Sequence, residues 1–455
     1  MVLYKAIRRE SKMLNTDVLI AGCGCSGLYA ALNLPRDKKI LMITKKDVES
    51  NDSMLAQGGI CMLKNDADYD SYFEDTMKAG HYENDKKSVE IMIRSSQDVI
   101  KDLVNVGVRF AKNSDGSFAF TREGAHSHHR ILYHEDITGK EITTHLLEAV
   151  KKLSNVTIME YTSIIDVITD DKGNCTGSVI RLADGRLEKV KSQVTILATG
   201  GIGGLFDHST NFNHLTGDGL AISLKHGVAL KDVDYIQIHP TTFFSKDKEE
   251  RAFLISESVR GEGAKLLNKK EERFTNELLP RDLLTGEIRK QMKKDGTDYV
   301  WEDMRPIPSE ELENHFPNIV EHCREKGYEP AKEPIPVCPA QHYFMGGIKV
   351  DYDSMTTMSE LYAVGETACN GVHGKNRLAS NSLLESLVFA KRAAKKITGD
   401  MAEGKIEKDT TSSVENADLS SYADEETLTA MYKDMVLNEI ETEKSARSAA
   451  GKEAV

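Results

Sequence analysis

Three glycines near the start of the chain have the spacing of a phosphate-binding turn. Gly22, Gly24 and Gly27 form a G-x-G-x-x-G pattern, which follows an apolar run at residues 18–21 and precedes an Ala/Leu-rich helical pattern. In such a turn the first glycine permits a tight bend, the second lets a pyrophosphate approach the backbone, and the third lets the helix pack on the strand. The helix N-terminus adds N–H groups and the positive end of its dipole. We therefore predict a dinucleotide site here.

Two further stretches carry residues suited to a ligand. The pair Gly58 and Gly59 follows a polar turn, which indicates either another close approach of the backbone to a ligand or an ordinary loop. The run from Thr121 to Arg130 holds three histidines, a glutamate and two arginines. The histidines suggest a metal, but no cysteine or second histidine cluster has ligand spacing. We expect no metal, and a mixed His/Arg/Glu loop beside an anionic ligand is the favoured interpretation.

Apolar runs and periodic patterns predict the elements that position these residues. The second strand ends in Thr44 and Lys45, where an NAD-type fold usually has an acidic residue, and this disfavours a plain NAD site. Like the strand at 18–21, the apolar strand at 194–197 leads into a Gly-rich turn, here at residues 200–204. The predicted elements are strands at 18–21, 39–44, 156–159, 164–168, 178–182, 194–197 and 361–364, and helices within 68–106 and from 381 onward.

Length and composition narrow the class of protein. The chain has 455 residues, 40% of them hydrophobic and 29% charged, which is typical of a globular protein. Its net charge of −13 argues against nucleic acid as a partner. No apolar run reaches the ~20 residues that span a bilayer, and no signal peptide is evident. Seven scattered cysteines without a C-x-x-C motif favour reduced thiols, so we expect a cytoplasmic protein with no membrane partner.

The dinucleotide-type segments are split along the chain. They fill residues 1–232 and return at 348–404, while residues 233–347 have a different character and contain the only Trp. We expect this middle segment to be an inserted cap whose contact with the first domain forms a cleft. Residues 405–455 are rich in charged and small residues and predict a short surface helix with a frayed, partly flexible end, with a thin apolar stripe at Leu428, Met431, Met435 and Ile440.

The ordered motifs resemble one flavoprotein family. They are GCGCSG, AQGGI, TREGAHSHHRI, ATGG, TGDGLA, QIHPT, SESVRGEGA, PRD, PAQHYFMGGI, LYAVGE and NRLASNSLLES. Together they are similar to the family of succinate dehydrogenases, fumarate reductases and L-aspartate oxidases, and most of all to the last branch. The resemblance implies an α/β fold: a Rossmann-like FAD-binding domain with an inserted α+β capping domain and a short C-terminal helical tail.

The resemblance also implies a reaction. It is the FAD-dependent oxidation of L-aspartate to iminoaspartate with O2 or fumarate as electron acceptor, the first step of de novo NAD biosynthesis. Quinolinate synthase is then a plausible partner, because iminoaspartate is labile. The alternatives are a soluble fumarate reductase or succinate-oxidising flavoprotein, and a non-catalytic flavin-binding or redox-sensing protein. Longer family members carry a C-terminal helical bundle. Because only about 50 residues follow the flavin domain in this sequence, we expect that bundle to be absent or reduced.

FAD is the implied cofactor, bound non-covalently. Membrane-bound members of the family attach FAD through a histidine at the position of Asp52, and residues 50–56 contain no histidine. The expected contacts follow the family's motifs, with Glu366 suited to accept hydrogen bonds from a ribose. They are Gly22, Cys23, Gly24, Cys25, Ser26, Gly27, Lys45, Asp52, Ser53, Met54, Leu55, Ala56, Gln57, Gly58, Gly59, Ser163, Ile164, Asp218, Glu366, Ser382 and Leu383.

The substrate residues implied by the resemblance suit a dicarboxylate. His239, His342 and Arg377 match substrate-binding positions, and Ser256 adds a neutral donor. Arg281 matches the family's proton donor and acceptor. Glu257 and Arg260 match its proton relay, and their i, i+3 spacing puts them on one helical face.

Glu123 separates the branches of the family. It matches the residue that orients L-aspartate in the oxidases. A nearby carboxylate stabilises the ammonium group of an amino acid substrate. Succinate has no ammonium group, so the same carboxylate would repel it.

Overall fold

The computed structural model describes residues 13–246, 251–406 and 411–451. The strands, β1–β18 in chain order, are Leu14–Asn15, Val18–Ala21, Ile40–Ile43, Ile60–Cys61, Ile131–Leu132, Val156–Met159, Ser163–Thr169, Cys175–Arg181, Leu187–Lys191, Val194–Leu197, Leu230–Lys231, Ile236–Phe243, Lys265–Leu267, Val300–Asp303, Ile335–Phe344, Gly347–Lys349, Leu361–Ala363 and Ala368–Cys369. The helices, α1–α13, are Cys25–Asn33, Asp52–Leu55, Tyr69–Ala79, Lys86–Asn105, Thr138–Lys151, Asp218–Lys225, Glu257–Gly261, Arg281–Asp295, Ser309–His315, Pro317–Glu325, Asn381–Ala402, Thr411–Asn416 and Glu425–Ala449.

A parallel five-stranded sheet forms the centre of the molecule. Its strand order is β17-β10-β2-β3-β6, so the strand before the glycine turn lies in the middle. Strands β2, β3, β10 and β17 are buried throughout. That burial explains their continuous apolar runs, because a parallel sheet is covered on both faces.

Alternate residues of the central strands enter two different cores. Val18 and Ile20 pack with helices α1, α4, α5 and α11. Leu19 and Ala21 pack on the other face, against α6, α13 and strands of the antiparallel sheet β9-β8-β7. The period of two along a strand produces this division. The α/β architecture therefore agrees with the expected Rossmann-like fold.

The middle segment of the chain builds its own sheet and core. The antiparallel sheet β12-β15-β14-β13 uses only residues between Ile236 and Phe344. A separate core beneath it includes Val259, Leu284 and Val337. We propose from this separation that the boundaries of 1–232 with 348–404 for the flavin domain and 233–347 for the cap describe the domains.

The helical pattern of residues 68–106 contains a break. Helix α3 ends at Ala79 and α4 begins at Lys86, so residues 80–85 interrupt the predicted helical region. His81 and Tyr82 both have left-handed backbone angles, with φ of 57° and 60°. Gly80 precedes them, and a Cβ there would lie 2.3 Å from the Asn84 side chain. Periodicity does not register a turn of this kind, because the apolar spacing resumes on its far side.

The C-terminal helix is longer than the sequence pattern predicted. Helix α13 runs for 25 residues and buries Leu428, Tyr432, Val436 and Ile440. The predicted stripe was wrong at Met431, whose exposed fraction is 43%. Asp424 caps the helix by accepting from the backbone N–H of Thr427 at 3.1 Å.

Across the described ranges, no helix is both long and apolar enough to cross a bilayer. All seven cysteines are buried as free thiols.

Candidate active site

The glycine turn at the end of β2 is built for close packing. Gly22 has φ +122°, and a Cβ on it would lie 1.9 Å from the carbonyl oxygen of Ala198. A Cβ on Gly27 would lie 2.2 Å from the carbonyl oxygen of Gly22. Helix α1 begins directly after Gly24, and the backbone N–H of Cys25 donates to Ser53 Oγ at 3.1 Å. The first turn of α1 therefore offers N–H groups and a positive dipole end to the cleft.

Cys23 and Cys25 fill this turn as small apolar groups. Both are 3% exposed. Burial raises the pKa of the Cys23 thiol to about 12 and that of Cys25 to about 11. Neither is a thiolate at neutral pH, which agrees with a packing role and not with redox chemistry.

The segment after β3 forms a second wall of the cleft. Asn51 caps helix α2 by accepting from the N–H of Met54. Asp52 Oδ1 accepts from the N–H of Phe212 at 3.0 Å, while Oδ2 is buried without a partner among the described residues. Burial raises the pKa of Asp52 to about 7. A Cβ on Gly58 would lie 2.4 Å from Glu123 Oε1, so the absence of a side chain at residue 58 leaves room for the Glu123 carboxylate.

Other expected cofactor residues come from distant segments. Lys45 Nζ lies 2.8 Å from Asp218 Oδ2 at the start of α6. Glu366 Oε1 accepts from the N–H of Phe344 at 3.0 Å, and burial raises the pKa of Glu366 to about 8. Ser382 lies in the first turn of α11, where the helix dipole favours negative charge.

One continuous cleft, with about 1610 Å³ of space including its open mouth, joins these groups. Of the expected residues, it is lined by Gly22, Cys23, Gly24, Cys25, Ser26, Lys45, Asp52, Ser53, Leu55, Ala56, Gln57, Gly58, Gly59, Glu123, Ser163, Ile164, Asp218, His239, Ser256, Glu257, Arg281, His342, Glu366, Arg377, Ser382 and Leu383. Three expected residues lie outside the lining. Gly27 packs under Gly22, Met54 accepts from Thr144 Oγ1, and Arg260 lies behind Glu257.

Arg281 is the first residue of α8 and is held at two atoms. Its Nε donates to Glu257 Oε2 at 2.6 Å, and its Nη1 donates to Gln237 Oε1 at 2.9 Å. The same Gln237 oxygen accepts from Arg377 Nε at 3.3 Å. The two guanidinium groups are therefore positioned by one amide.

Glu257 lies between two arginines. Arg260 Nη2 is 3.9 Å from the Glu257 oxygen that Arg281 contacts. Burial alone would raise the pKa of Glu257, but the charges of Arg281 and Arg260 outweigh burial and lower it. Arg260 also donates to Thr241 Oγ1 and to the carbonyl oxygen of Glu277. Glu257 is thus an ionised carboxylate at neutral pH.

Two histidines face each other in the cleft. The rings of His239 and His342 pack edge to face with centroids 5.2 Å apart. His239 Nδ1 lies 2.9 Å from the carbonyl oxygen of Thr241, and its Nε2 is buried with no partner in the described part of the chain. Burial, followed by the charge of Arg281, lowers the pKa of His239 and of His342 well below the ordinary value. Both rings are neutral at neutral pH.

Arg377 is buried at the same end of the cleft. Its Nη1 donates to Ser382 Oγ at 2.8 Å, and its guanidinium lies over the Tyr343 ring at 4.4 Å. Burial, with the nearby charge of Arg281, lowers the pKa of Arg377 to about 10. It remains a cation at neutral pH.

Glu123 adds a carboxylate to this end. Ser380 Oγ donates to its Oε2 at 2.5 Å, and Ser258 Oγ donates to its Oε1 at 3.1 Å. The residue is 4% exposed. Burial and the neighbouring charge of Glu257 raise the pKa of Glu123. An additional positive group in the cleft would stabilise its ionised form.

The remaining members of the histidine loop do not enter the cleft. His126 Nδ1 lies 3.1 Å from Arg130 Nη1, and its Nε2 lies 3.0 Å from the carbonyl oxygen of Ala379. His128 and His129 are exposed. Within residues 13–246, 251–406 and 411–451, no group of three His, Cys, Asp or Glu side chains is arranged to hold a metal ion.

Several residues of the site were missed from sequence. Gln237, Ser258 and Ser380 hold Arg281, Arg377 and Glu123 in place. The side of β12 on which Gln237 lies could have been inferred, because it is two residues before His239 and alternate residues of a strand point to the same side. Its contacts to Arg281 and Arg377 could not. Ser258 and Ser380 carry no such signal, since they meet Glu123 across more than 100 residues of chain.

The cleft fits a flavin dinucleotide. The glycine turn leaves room for a pyrophosphate against the backbone of α1. Asp52 Oδ2, Gln57 Oε1 and His239 Nε2 are buried in its lining without partners among the described residues. Buried polar atoms are normally hydrogen-bonded, so a polar ligand would satisfy them.

Comparison with known proteins agrees with this geometry. The FAD binding domain family matches residues 17–383. The L-aspartate oxidase of Clostridium perfringens is 52% identical over 382 residues, covering 84% of this chain and 86% of that protein. The L-aspartate oxidase of Clostridium acetobutylicum is 48% identical over 384 residues, covering 84% of this chain and 88% of that protein.

The solved structures include a similar fold. The E. coli quinol fumarate reductase superposes with a TM-score of 0.82 at 29% sequence identity, covering 88% of this chain and 72% of that chain. FAD is accordingly the cofactor. The chain belongs to the L-aspartate oxidase family of FAD-binding flavoproteins.

Proposed function

We propose that the protein catalyses the FAD-dependent oxidation of L-aspartate to iminoaspartate. Electrons pass to O2 or fumarate, and the reaction is the first step of de novo NAD biosynthesis. Family membership supports the reaction class. The observation that carries the choice of substrate is the buried carboxylate of Glu123 in the same cleft as Arg281 and Arg377.

The charges of the cleft match an amino dicarboxylate. Arg281 and Arg377 line this end of the cleft with Glu123 and Glu257, and Arg260 lies directly behind Glu257, so these five groups together carry one net positive charge when all are ionised. Aspartate carries one net negative charge at neutral pH. A buried anion without partners costs several kcal/mol, so this balance matters for binding.

The two carboxylates of the substrate need separate partners. We propose Arg281 and Arg377 as the charged partners, because a planar guanidinium binds two oxygens at once. The neutral rings of His239 and His342 and the hydroxyl of Ser256 supply further hydrogen bonds without adding charge.

Glu123 is proposed to hold the α-ammonium group. Its two oxygens already accept from Ser380 and Ser258, which fixes their direction. Because burial raises the pKa of Glu123, an ammonium beside it would favour the ionised form and gain a charge-assisted hydrogen bond.

Arg281 is the proposed proton carrier. Bound FAD supplies the electron acceptor for the substrate's C–H bond. An arginine has a pKa above about 12, so it exchanges a proton efficiently only when a base lies close. Glu257, 2.6 Å from Arg281 Nε, is that base, and Arg260 at 3.9 Å extends the path behind it.

The surroundings of the reaction are also proposed. Seven free thiols fit a reducing compartment, and the cytoplasm is the location we propose. Quinolinate synthase is the proposed acceptor of the product, because iminoaspartate is labile in water.

A soluble fumarate reductase or succinate-oxidising flavoprotein is the second candidate. The likeness to quinol fumarate reductase favours it. The carboxylate of Glu123 opposes it, because succinate would bring two negative charges towards a buried glutamate without an ammonium to compensate.

Anaerobic flavin bleaching distinguishes the two functions. The purified protein with bound FAD is mixed with L-aspartate or succinate in the absence of O2, and the visible flavin absorbance is followed. We expect rapid bleaching by L-aspartate and slow or no bleaching by succinate. D-Aspartate serves as a control with the same charge and the opposite configuration.

The opposite pattern would select the second candidate. Rapid bleaching by succinate with none by L-aspartate would mean that Glu123 does not select an ammonium group. Bleaching by neither compound would leave a flavin-binding protein without this activity.

A further inference from the structure

The C-terminal helix α13 reaches the junction between the flavin domain and the cap. Its buried stripe packs on the flavin domain through Tyr432 and Val436. Its last turns carry Glu443 and Arg447, whose side chains extend to residues 232–235. Glu443 and Arg447 themselves lie far along the chain from every residue that lines the cleft.

Arg447 is held by an unusually dense set of partners. Its Nε and Nη2 donate to the two carboxylate oxygens of Asp234 at 2.8 and 3.0 Å. Its Nη2 also lies 3.2 Å from Asp232 Oδ1, and its Nη1 donates to Tyr235 Oη at 2.6 Å. The guanidinium lies over the Tyr235 ring at 4.2 Å. Such a two-point contact fixes orientation as well as distance.

This contact is shielded from solvent. The Asp234 side chain is 0% exposed and the Arg447 side chain is 13% exposed. An exposed ion pair would contribute little, whereas the loss of one partner from a buried pair leaves the other charge unpaired. Glu443 adds a contact to the backbone, since its Oε2 accepts from the N–H of Val233 at 3.1 Å.

Both passages of the chain between the proposed domains lie at this point. The outgoing passage is Asp232–Tyr235, directly before β12. The returning passage lies beside it, because the N–H of Met345 donates to the carbonyl oxygen of Tyr235 at 3.0 Å. A Cβ on Gly346 would lie 2.0 Å from the carbonyl oxygen of Asp232. Arg447 therefore holds the outgoing passage, and that passage is in direct contact with the returning one.

A short chain of contacts continues from this junction to the cleft. Tyr235, Tyr343 and Met345 form a small buried cluster. Tyr343 lines the cleft and lies under the guanidinium of Arg377. On the outgoing side, β12 begins one residue after Tyr235 and carries Gln237 and His239 into the site.

We propose that Arg447 is a positioning residue for the substrate site. By holding the junction between flavin domain and cap, it keeps Gln237, His239 and Arg377 at the separation that a dicarboxylate requires. The inference rests on the proposed function and on the proposed domain boundaries. It assigns the C-terminal helix a role in substrate binding, although α13 contributes no residue to the cleft.

The test compares three full-length variants with FAD bound. Arg447→Gln removes the charge and the fork, Arg447→Lys keeps the charge alone, and Lys444→Gln is the control on the same helix. The Lys444 side chain is 53% exposed, and its ion pair with Glu441 spans 3.6 Å at the surface. For each variant, kcat and KM for L-aspartate are measured with hydrogen exchange of residues 232–238 and 343–347.

We expect a change in KM that is larger than the change in kcat. Loss of the charged hydrogen bonds in Arg447→Gln should raise KM about tenfold or more and speed exchange at both passages by a similar factor. Exchange in β2 and α1 should be unchanged. Arg447→Lys should recover only part of the effect, because an ammonium cannot make the two-point contact. Lys444→Gln should behave as the wild type.

Other outcomes overturn the proposal. One is faster exchange confined to α13 with an unchanged KM, and another is full recovery by Arg447→Lys. If Arg447→Gln does not fold, Glu443→Gln replaces it. That change removes the charge of a side chain whose Oε2 accepts from the Val233 N–H and whose Oε1 accepts from Arg447 Nη2 at 3.0 Å, and it leaves the contact between Arg447 and Asp234 in place. Absence of aspartate turnover in the wild type would refute the proposed function instead, while the exchange data would still decide whether Arg447 holds the junction.

Discussion

The two ends of the cleft are built from different parts of the protein. The cofactor end is mainly backbone: one stretch of ten residues supplies β2, the glycine turn and the start of α1. The substrate end is mainly side chains: charged ones from α7, α8 and the segments before β5 and α11, and neutral histidine rings from β12 and β15. A phosphate site can therefore be encoded locally, whereas a dicarboxylate site depends on the whole tertiary fold.

The same contrast holds for electrostatics. At the glycine turn the nearby thiols are neutral, and a ligand meets backbone N–H groups. At the substrate end Glu257 lies 2.6 Å from Arg281 and 3.9 Å from Arg260, and the buried side chains of Arg377 and Glu123 line the same cleft. Changes at the first end should therefore affect whether FAD binds, and changes at the second should affect what happens to the substrate.

The largest expected effect is at the cofactor end. Gly22→Ala would place a Cβ 1.9 Å from a backbone oxygen at a residue with φ +122°. Overpacking alone costs about 1–3 kcal/mol, and the left-handed angle adds to it. We expect protein purified without flavin and without turnover, measured by visible absorbance and aspartate oxidation.

Gly286→Ala is the matched control for that change. Gly286 lies in α8, and a Cβ there would meet nothing within 4 Å. Normal flavin content in Gly22→Ala would show that the turn tolerates a side chain and that the backbone account of this end is wrong.

The second effect, at the substrate end, should leave flavin in place. Arg281→Leu removes the proposed proton carrier, and general acid–base catalysis contributes about 100- to 10,000-fold. We expect turnover to fall by that factor with aspartate and with fumarate alike, at normal flavin content. Arg281→Lys should recover little, because an ammonium cannot reproduce the fork.

Arg289→Leu on the exposed side of α8 controls for helix effects. Near-normal turnover in Arg281→Leu would remove this residue from the mechanism. A loss of flavin together with the loss of turnover would mean that the substrate end also affects FAD binding.

The smallest expected effect concerns one charge at the substrate end and compares two substrates. Glu123→Gln keeps the shape of the side chain and removes its charge. A hydrogen bond to a charged group contributes about 1.5–3 kcal/mol, so kcat/KM for aspartate should fall about tenfold or more. Fumarate reduction should be unchanged or faster, because a like charge has been removed.

Both reactions should be assayed on one preparation with matched flavin content. Glu148→Gln, an exposed change on α5, provides the baseline. Equal losses in both reactions would mean that Glu123 only supports the loop around Gly58.

How much could be predicted from sequence follows the same division. The strand, turn and helix of residues 18–33 were predictable because apolar runs and glycine spacing are local. The parallel sheet followed from equally local runs at β3 and β10. The FAD cofactor and the family are confirmed by the comparisons, and they rested on motifs spread over the first 400 residues.

The contacts that hold the charged groups could not be predicted. Gln237 bridges Arg281 and Arg377 across 44 and 140 residues of chain. A glutamine in a strand has no pattern that distinguishes a bridging role from ordinary burial. The role of Arg447 could not be predicted either, because an arginine in a buried ion pair and a solvated arginine look the same in the sequence of a charged helix.

The burial of the cysteines has a consequence for the lifetime of the enzyme. With O2 as the proposed acceptor, two-electron transfer produces hydrogen peroxide next to the polypeptide, and peroxide oxidises thiolates, not thiols. Burial raises the pKa of Cys175 and Cys338 to about 11 and that of Cys323 and Cys369 to about 12. At pH 7 such a thiol is a thiolate about one part in ten thousand or less of the time. The fold thereby protects the catalyst from its own by-product.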